Sequence, residues 1–163
     1  MAVVGRRLGL CACCAAASTL VGSCGSPSPA AEETEPSCLP APVDLNCDPA
    51  YGLAADGVTI APTFQQVFDV TLAHCNATAG CHRAPNPPHG FQLSPIDTAY
   101  QSLTTKNAQG EDHVIPGNVK CGKVLVRLES VDEPWSMPPG SGAHLSDAEL
   151  CSFAHWVANG APR

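Results

Sequence analysis

The sequence predicts an all-α fold of short helices joined by long loops. Three observations point there. Ser146-Asp-Ala-Glu149 is a capping box that opens an apolar run at helical spacing. Phe64, Val67, Phe68 and Leu72 fall on one face of a second helix. Sixteen prolines and fourteen glycines among 163 residues then break up most of what lies between.

The first stretch is set aside from the fold. Met1–Ser23 reads as a signal peptide: Arg6 and Arg7 give the positive start, and the apolar run from Leu8 to Leu20 is short for a membrane span. Val21-Gly22-Ser23-Cys24 resembles a bacterial lipobox, which places cleavage before Cys24 and a lipid on it. A plain secretory peptide cut nearby is the simpler alternative. Residues 24–37, rich in Ser, Pro, Ala and Glu, read as a flexible acidic tether. Loss of Arg6 and Arg7 leaves six basic against fifteen acidic residues, a net charge of −9. That balance excludes a nucleic-acid binder, which needs clustered Lys and Arg, and suits a positively charged partner.

The domain itself is expected in order. Residues 38–61 form a loop-rich, cysteine-containing lead-in, with Asp-Pro, Tyr-Gly and Asp-Gly turns. Thr63 caps a helix that runs into His74-Cys75. The prolines of 85–88 exclude regular structure there. Ile96 to Leu103 forms a short helix with Ile96, Tyr100 and Leu103 inward. Asn118 caps a third helix carrying Val119, Val124, Leu125 and Leu128. The last helix covers 147–158, with Trp156 beside its apolar stripe, and stops at Asn159-Gly160.

Ten cysteines suit an oxidising compartment. Three leave with the signal and Cys24 takes lipid, so six remain. They allow fifteen complete pairings. Proximity favours Cys38–Cys47, and the placement of Cys121 and Cys151 near helix starts favours Cys121–Cys151. Cys75 and Cys81 are left for each other or for a prosthetic group.

The run Cys75-Asn-Ala-Thr-Ala-Gly-Cys81-His82 keeps the order of the c-type haem attachment signature, with five residues between the cysteines instead of two. The longer loop costs only about 1 kcal/mol more to close. Downstream, Met137-Pro-Pro-Gly140 offers a soft thioether on a stiff loop.

With Thr63-Phe64, Val67-Phe68, Val114, Pro116-Gly117-Asn118, Leu145-Ser146, Glu149 and Trp156-Val157-Ala158-Asn159-Gly160-Ala161, these residues resemble the cytochrome c-like domains of bacterial envelope lipoproteins, including the planctomycete-type group. The resemblance covers about residues 62–162. It implies a cytochrome c-like domain over 62–163 with covalent haem c on Cys75 and Cys81. His82 and Met137 would be the axial ligands of its iron, and Phe64, Phe68 and Trp156 an apolar wall. The function implied is non-enzymatic: one-electron transfer with a redox protein partner, by a lipoprotein anchored to the cell envelope and facing the periplasm or the exterior. Two rivals stay open. One is a haem-free, disulfide-stapled module with a structural or interaction role, in which Cys75 and Cys81 bridge. The other is a Cys/His metal site at Cys75, Cys81 and His82, which lacks the usual zinc spacing. No hydrolase, phosphate-loop or zinc-protease motif is present.

Overall fold

The computed structural model describes residues 34–77, 81–83, 85–139 and 144–163. The signal peptide, the lipidated Cys24 and the tether up to residue 33 lie outside the described residues. Residues 34–163 form one compact unit. Among the described residues the fold is helical, with isolated bridges and no strands. No helix among them is long and apolar enough to cross a membrane.

Helix α1 spans residues 64–76. It opens as Phe64–Gln66, widens into a π-helical stretch at Val67–Thr71, and closes as Leu72–Asn76. Thr63 caps it as expected, in a full capping box with Gln66. Thr71, at the end of the π stretch, is fully buried and bonds through its hydroxyl to that of Tyr51 at 2.6 Å. Helix α2 spans Ile96–Thr104 and buries Ala99 and Leu103. Helix α3 spans Lys123–Glu129 and buries Leu125 and Val126. Helix α4 spans Asp147–Ala158, with the expected capping box between Ser146 and Glu149.

The third helix starts later than the sequence suggests. Asn118 caps a turn instead, its side-chain oxygen accepting from the backbone N–H of Lys120 and Cys121. Gly122 then turns the chain at φ 109°, where an added Cβ would meet the His113 carbonyl at 3.0 Å.

The core gathers Phe64, Val67 and Leu72 of α1, Ala99 and Leu103 of α2, Leu125 of α3, and Phe153, Trp156 and Val157 of α4. Phe64 packs edge-on to Tyr100 at 5.0 Å and tilted against Trp156 at 5.5 Å. The chain end is latched over this cluster. Trp156 donates its indole N–H to the Pro162 carbonyl, and Tyr100 its hydroxyl to Ala161.

The disulfides correct the sequence expectation. Cys38 pairs with Cys121 and Cys47 with Cys151, not Cys38 with Cys47 or Cys121 with Cys151. The reason lies in the lead-in. Its Pro40 and Pro42 keep it from folding back on itself. It threads along 119–121, with Leu39 N–H donating to Lys120 and Val43 N–H to Val119. That path leaves Cys38 opposite Cys121 and delivers Cys47 to the side of α4.

The described end of the expected tether is also held. Glu35 forms a two-point ion pair with Arg127 of α3, at 2.8 and 2.9 Å. Folded order therefore begins before residue 38.

The two bridges close loops of 83 and 104 residues. Each is worth about 4 to 5 kcal/mol by the chain-entropy account. Non-reducing peptide mapping should recover Cys38–Cys121 and Cys47–Cys151. Cys47→Ser/Cys151→Ser should lower unfolding free energy by about 4 kcal/mol in urea. Recovery of a Cys38–Cys47 peptide would contradict this path of the lead-in.

Candidate functional site

The site is built at the C-terminal end of α1. Cys75 sits in the last turn, and its carbonyl accepts the His82 N–H at 3.0 Å, closing the loop between them. The next turn is set by sequence. Pro87-Pro88-His89-Gly90 forms a tight 3₁₀ turn, with His89 and Gly90 at positive φ. Gly90 N–H donates to Pro87 and Phe91 N–H to Pro88. The chain thus reverses and returns Phe91 to Leu93 past His82. Leu93 N–H donates to the His82 carbonyl at 2.7 Å, and Asn76 donates its amide to Leu93 at 2.9 Å.

This return segment orients the imidazole. His82 Nδ1 lies 2.9 Å from the Phe91 carbonyl, and the Phe91 ring stands edge-on to it at 5.0 Å. A carbonyl only accepts, so Nδ1 carries the proton and Nε2 keeps its lone pair. Burial lowers the pKa of the half-buried ring. The Phe91 bond opposes that, and the charges of Arg127, His113 and His89 add to the lowering. The ring is therefore neutral at pH 7, the form that ligates a metal.

Cys75 and Cys81 both stand outside the two disulfides. The Cys75 thiol is pushed up to about 11, first by burial and then by the neighbouring charge of Cys81. The structure therefore brings together three of the four expected ligating residues: Cys75, Cys81 and His82.

Met137 is held by α3. Its N–H donates at 2.9 Å to the carbonyl of Arg127, near the C-terminal end of α3. The carbonyl of Arg127 holds Met137, and the charge of its side chain helps lower the His82 pKa. Two residues before Met137, the Trp135 indole N–H is buried without an acceptor among the described residues.

Other expectations resolve differently. Phe64 and Trp156 are consumed by the protein core, at 2 % and 0 % exposure, and Phe68 is half-buried at its margin. They wall the helices against one another. His74 is bonded to Glu149 at 2.9 Å, tying α1 to the start of α4. His113 and His155 are half-buried and bonded to the carbonyls of Ser102 and Leu45. His155 also lies with Cys47 and Cys151 in a tight group, but both sulfurs are spent in their disulfide. The Phe91 carbonyl, Arg127 and Trp135 were missed in the sequence. The Pro-Pro-His-Gly turn and the position of Trp135 beside Met137 were the available signals.

In its chemistry the Cys75, Cys81 and His82 group, two thiols outside the disulfides and an oriented neutral imidazole, fits a covalently held haem. Two surface grooves of about 450 and 320 Å³ lie elsewhere, against 39–44 with 129–133 and against 37–38 with 111–123. No protein-family model, curated protein or solved structure matches the chain.

The raised Cys75 pKa gives a test in the haem-free protein with both disulfides intact and Cys75 and Cys81 as thiols. The native state holds this proton to higher pH than the unfolded chain, whose thiols titrate near ~8.5. Its contribution is full below that pH and fades as pH rises to about 11. Tyr51, raised by burial to about 12, moves the same way, so the readout is a difference between variants. Urea unfolding should show wild type losing about 3 kcal/mol more than Cys75→Ala over this window. Parallel pH profiles would show that the thiol is not desolvated.

Proposed function

We propose that this chain is an envelope-anchored c-type haem protein for one-electron transfer. The observation that carries the reading is the imidazole of His82, fixed by the Phe91 carbonyl with Nε2 left to ligate, beside two thiols that the disulfides leave over. Cys75 and Cys81 would hold the porphyrin through thioethers, and His82 and Met137 would be the axial ligands. When bound, the haem supplies a one-electron ferric/ferrous couple, whose potential a His/Met pair raises.

The remaining roles fall to the protein. The Phe91 carbonyl holds the imidazole tautomer and its angle. Pro138 and Pro139 stiffen the segment after Met137. The chain performs no bond chemistry of its own. Its acidic balance suits a basic redox partner, and a lipid on Cys24 would keep it at the membrane, on the periplasmic or outer face.

The haem-free module remains the rival, and one observation favours it. Two long-range disulfides and a core filled by Phe64, Phe153 and Trp156 hold the fold together without a prosthetic group.

Export alongside haem-maturation machinery separates the two. The expected product is red, with a Soret band and a denatured mass raised by one porphyrin–iron unit that survives acid. Met137→Leu should keep that mass and lower the reduction potential by roughly 100 mV or more, within the ~0.8 V that axial ligands span. His82→Ala should abolish the native low-spin spectrum. A colourless product with Cys75 and Cys81 bridged assigns the chain to the rival.

A further inference from the structure

We propose that Glu35 is a positioning residue for Met137. It grips Arg127 and so holds the carbonyl to which the Met137 amide donates.

The chain of contacts is short. The last carbonyls of a helix have no partner within it. In α3 the Arg127 carbonyl is one of these, and it takes the Met137 N–H at 2.9 Å. The position of Met137 therefore follows the last turn of α3. That turn is held by the Arg127 side chain, whose Nε and terminal nitrogen meet both oxygens of Glu35 at 2.8 and 2.9 Å.

A two-point guanidinium–carboxylate pair fixes angle as well as distance. A single exposed ion pair would be worth little, but this one is sheltered. The Glu35 side chain is 16 % exposed, and Lys123 adds a second cation at 3.3 Å with 14 % exposure. Lys123 reaches on to Glu111 at 3.1 Å. Burial alone would raise the Glu35 pKa, but Arg127 and Lys123 more than offset it, so it stays charged at neutral pH.

Glu35 is itself anchored. Gly122 N–H bonds to Ser37, and the Cys38–Cys121 disulfide follows at once. Residues 35–38 thus form a strap pinned by a covalent bond, with the Glu35 carboxylate upstream of it. Without that carboxylate, Arg127 and Lys123 would stand as two like charges in a half-buried spot, and the end of α3 would loosen. The consequence for a haem ligand rests on the reading above; the grip on Met137 does not.

The test therefore uses the haem-free, disulfide-intact protein. Amide hydrogen exchange is followed at Met137, with Trp156 and Val157 of α4 as controls. Glu35→Gln should speed exchange at Met137 about tenfold, the effect of losing one charged hydrogen-bonding pair, and leave the α4 amides unchanged. Unchanged exchange at Met137 would overturn the proposal. If α4 loosens too, the charge-conserving Arg127→Lys variant, which cannot make the two-point pair, decides. Faster exchange at Met137 with α4 unchanged supports the strap, and unchanged exchange at Met137 refutes it. In haem-loaded protein, Glu35→Gln should also weaken the methionine–iron charge-transfer band. A wild type that takes up no haem ends the functional reading but leaves the exchange result standing.

Discussion

The packing of Phe64 against Trp156 is the contact on which the rest of the molecule depends. It joins the first turn of α1 to the last turns of α4, with Tyr100 of α2 closing the third side. Both rings are almost wholly buried, each a large share of the apolar area available to so small a core. Once this end of α1 is fixed, its far end has little freedom. Cys75 must emerge where the helix stops, and His74 beside it meets Glu149 at the start of α4. The site is thus the free end of a helix whose other end is buried.

So small a helical core leaves long loops to be held by other means. The two disulfides do this for the lead-in, binding it to the α3 entry at one point and to α4 at another. Short hydrogen-bonded turns do it for the rest. His113, for example, bonds Ser102 through its ring, and Val114 N–H bonds Leu103. The outcome is a domain in which covalent staples and local turns place the loops, and the helices supply only the frame.

What could be read from the sequence follows from this division. The caps at Thr63 and Ser146 are interactions among neighbours, so α1 and α4 were legible to within a residue or two, and Leu103 was correctly placed inward. The disulfide pairing was not legible, because it depends on the course of the lead-in past residues far away in sequence. Nearness in sequence misled at Cys38 and Cys47. Asn118 looked like a helix cap because the same side chain serves turns equally well; only Gly122, at positive φ, shows where α3 can begin. The Cys75, Cys81 and His82 cluster was visible as a motif. The carbonyl that orients His82 was not, since no side-chain pattern marks a backbone acceptor. Met137 stood out as the one methionine of the domain, but its dependence on Arg127 and Glu35 joins three distant segments and left no local trace.

The five-residue spacer between Cys75 and Cys81 can be weighed in the same terms. Its added closure cost is about 1 kcal/mol if the loop is free. Here its flanking residues are held. The His82 N–H to Cys75 carbonyl bond joins its ends, and the Leu93 and Phe91 bonds hold His82 from the opposite side. A net hydrogen bond in a partly buried setting contributes about 1 kcal/mol, so a single one of these offsets the extra length. The closure cost of the longer spacer is thus met by bonds at its ends. The direction of the imidazole is set separately, by a carbonyl that a proline–glycine turn brings back across the ring.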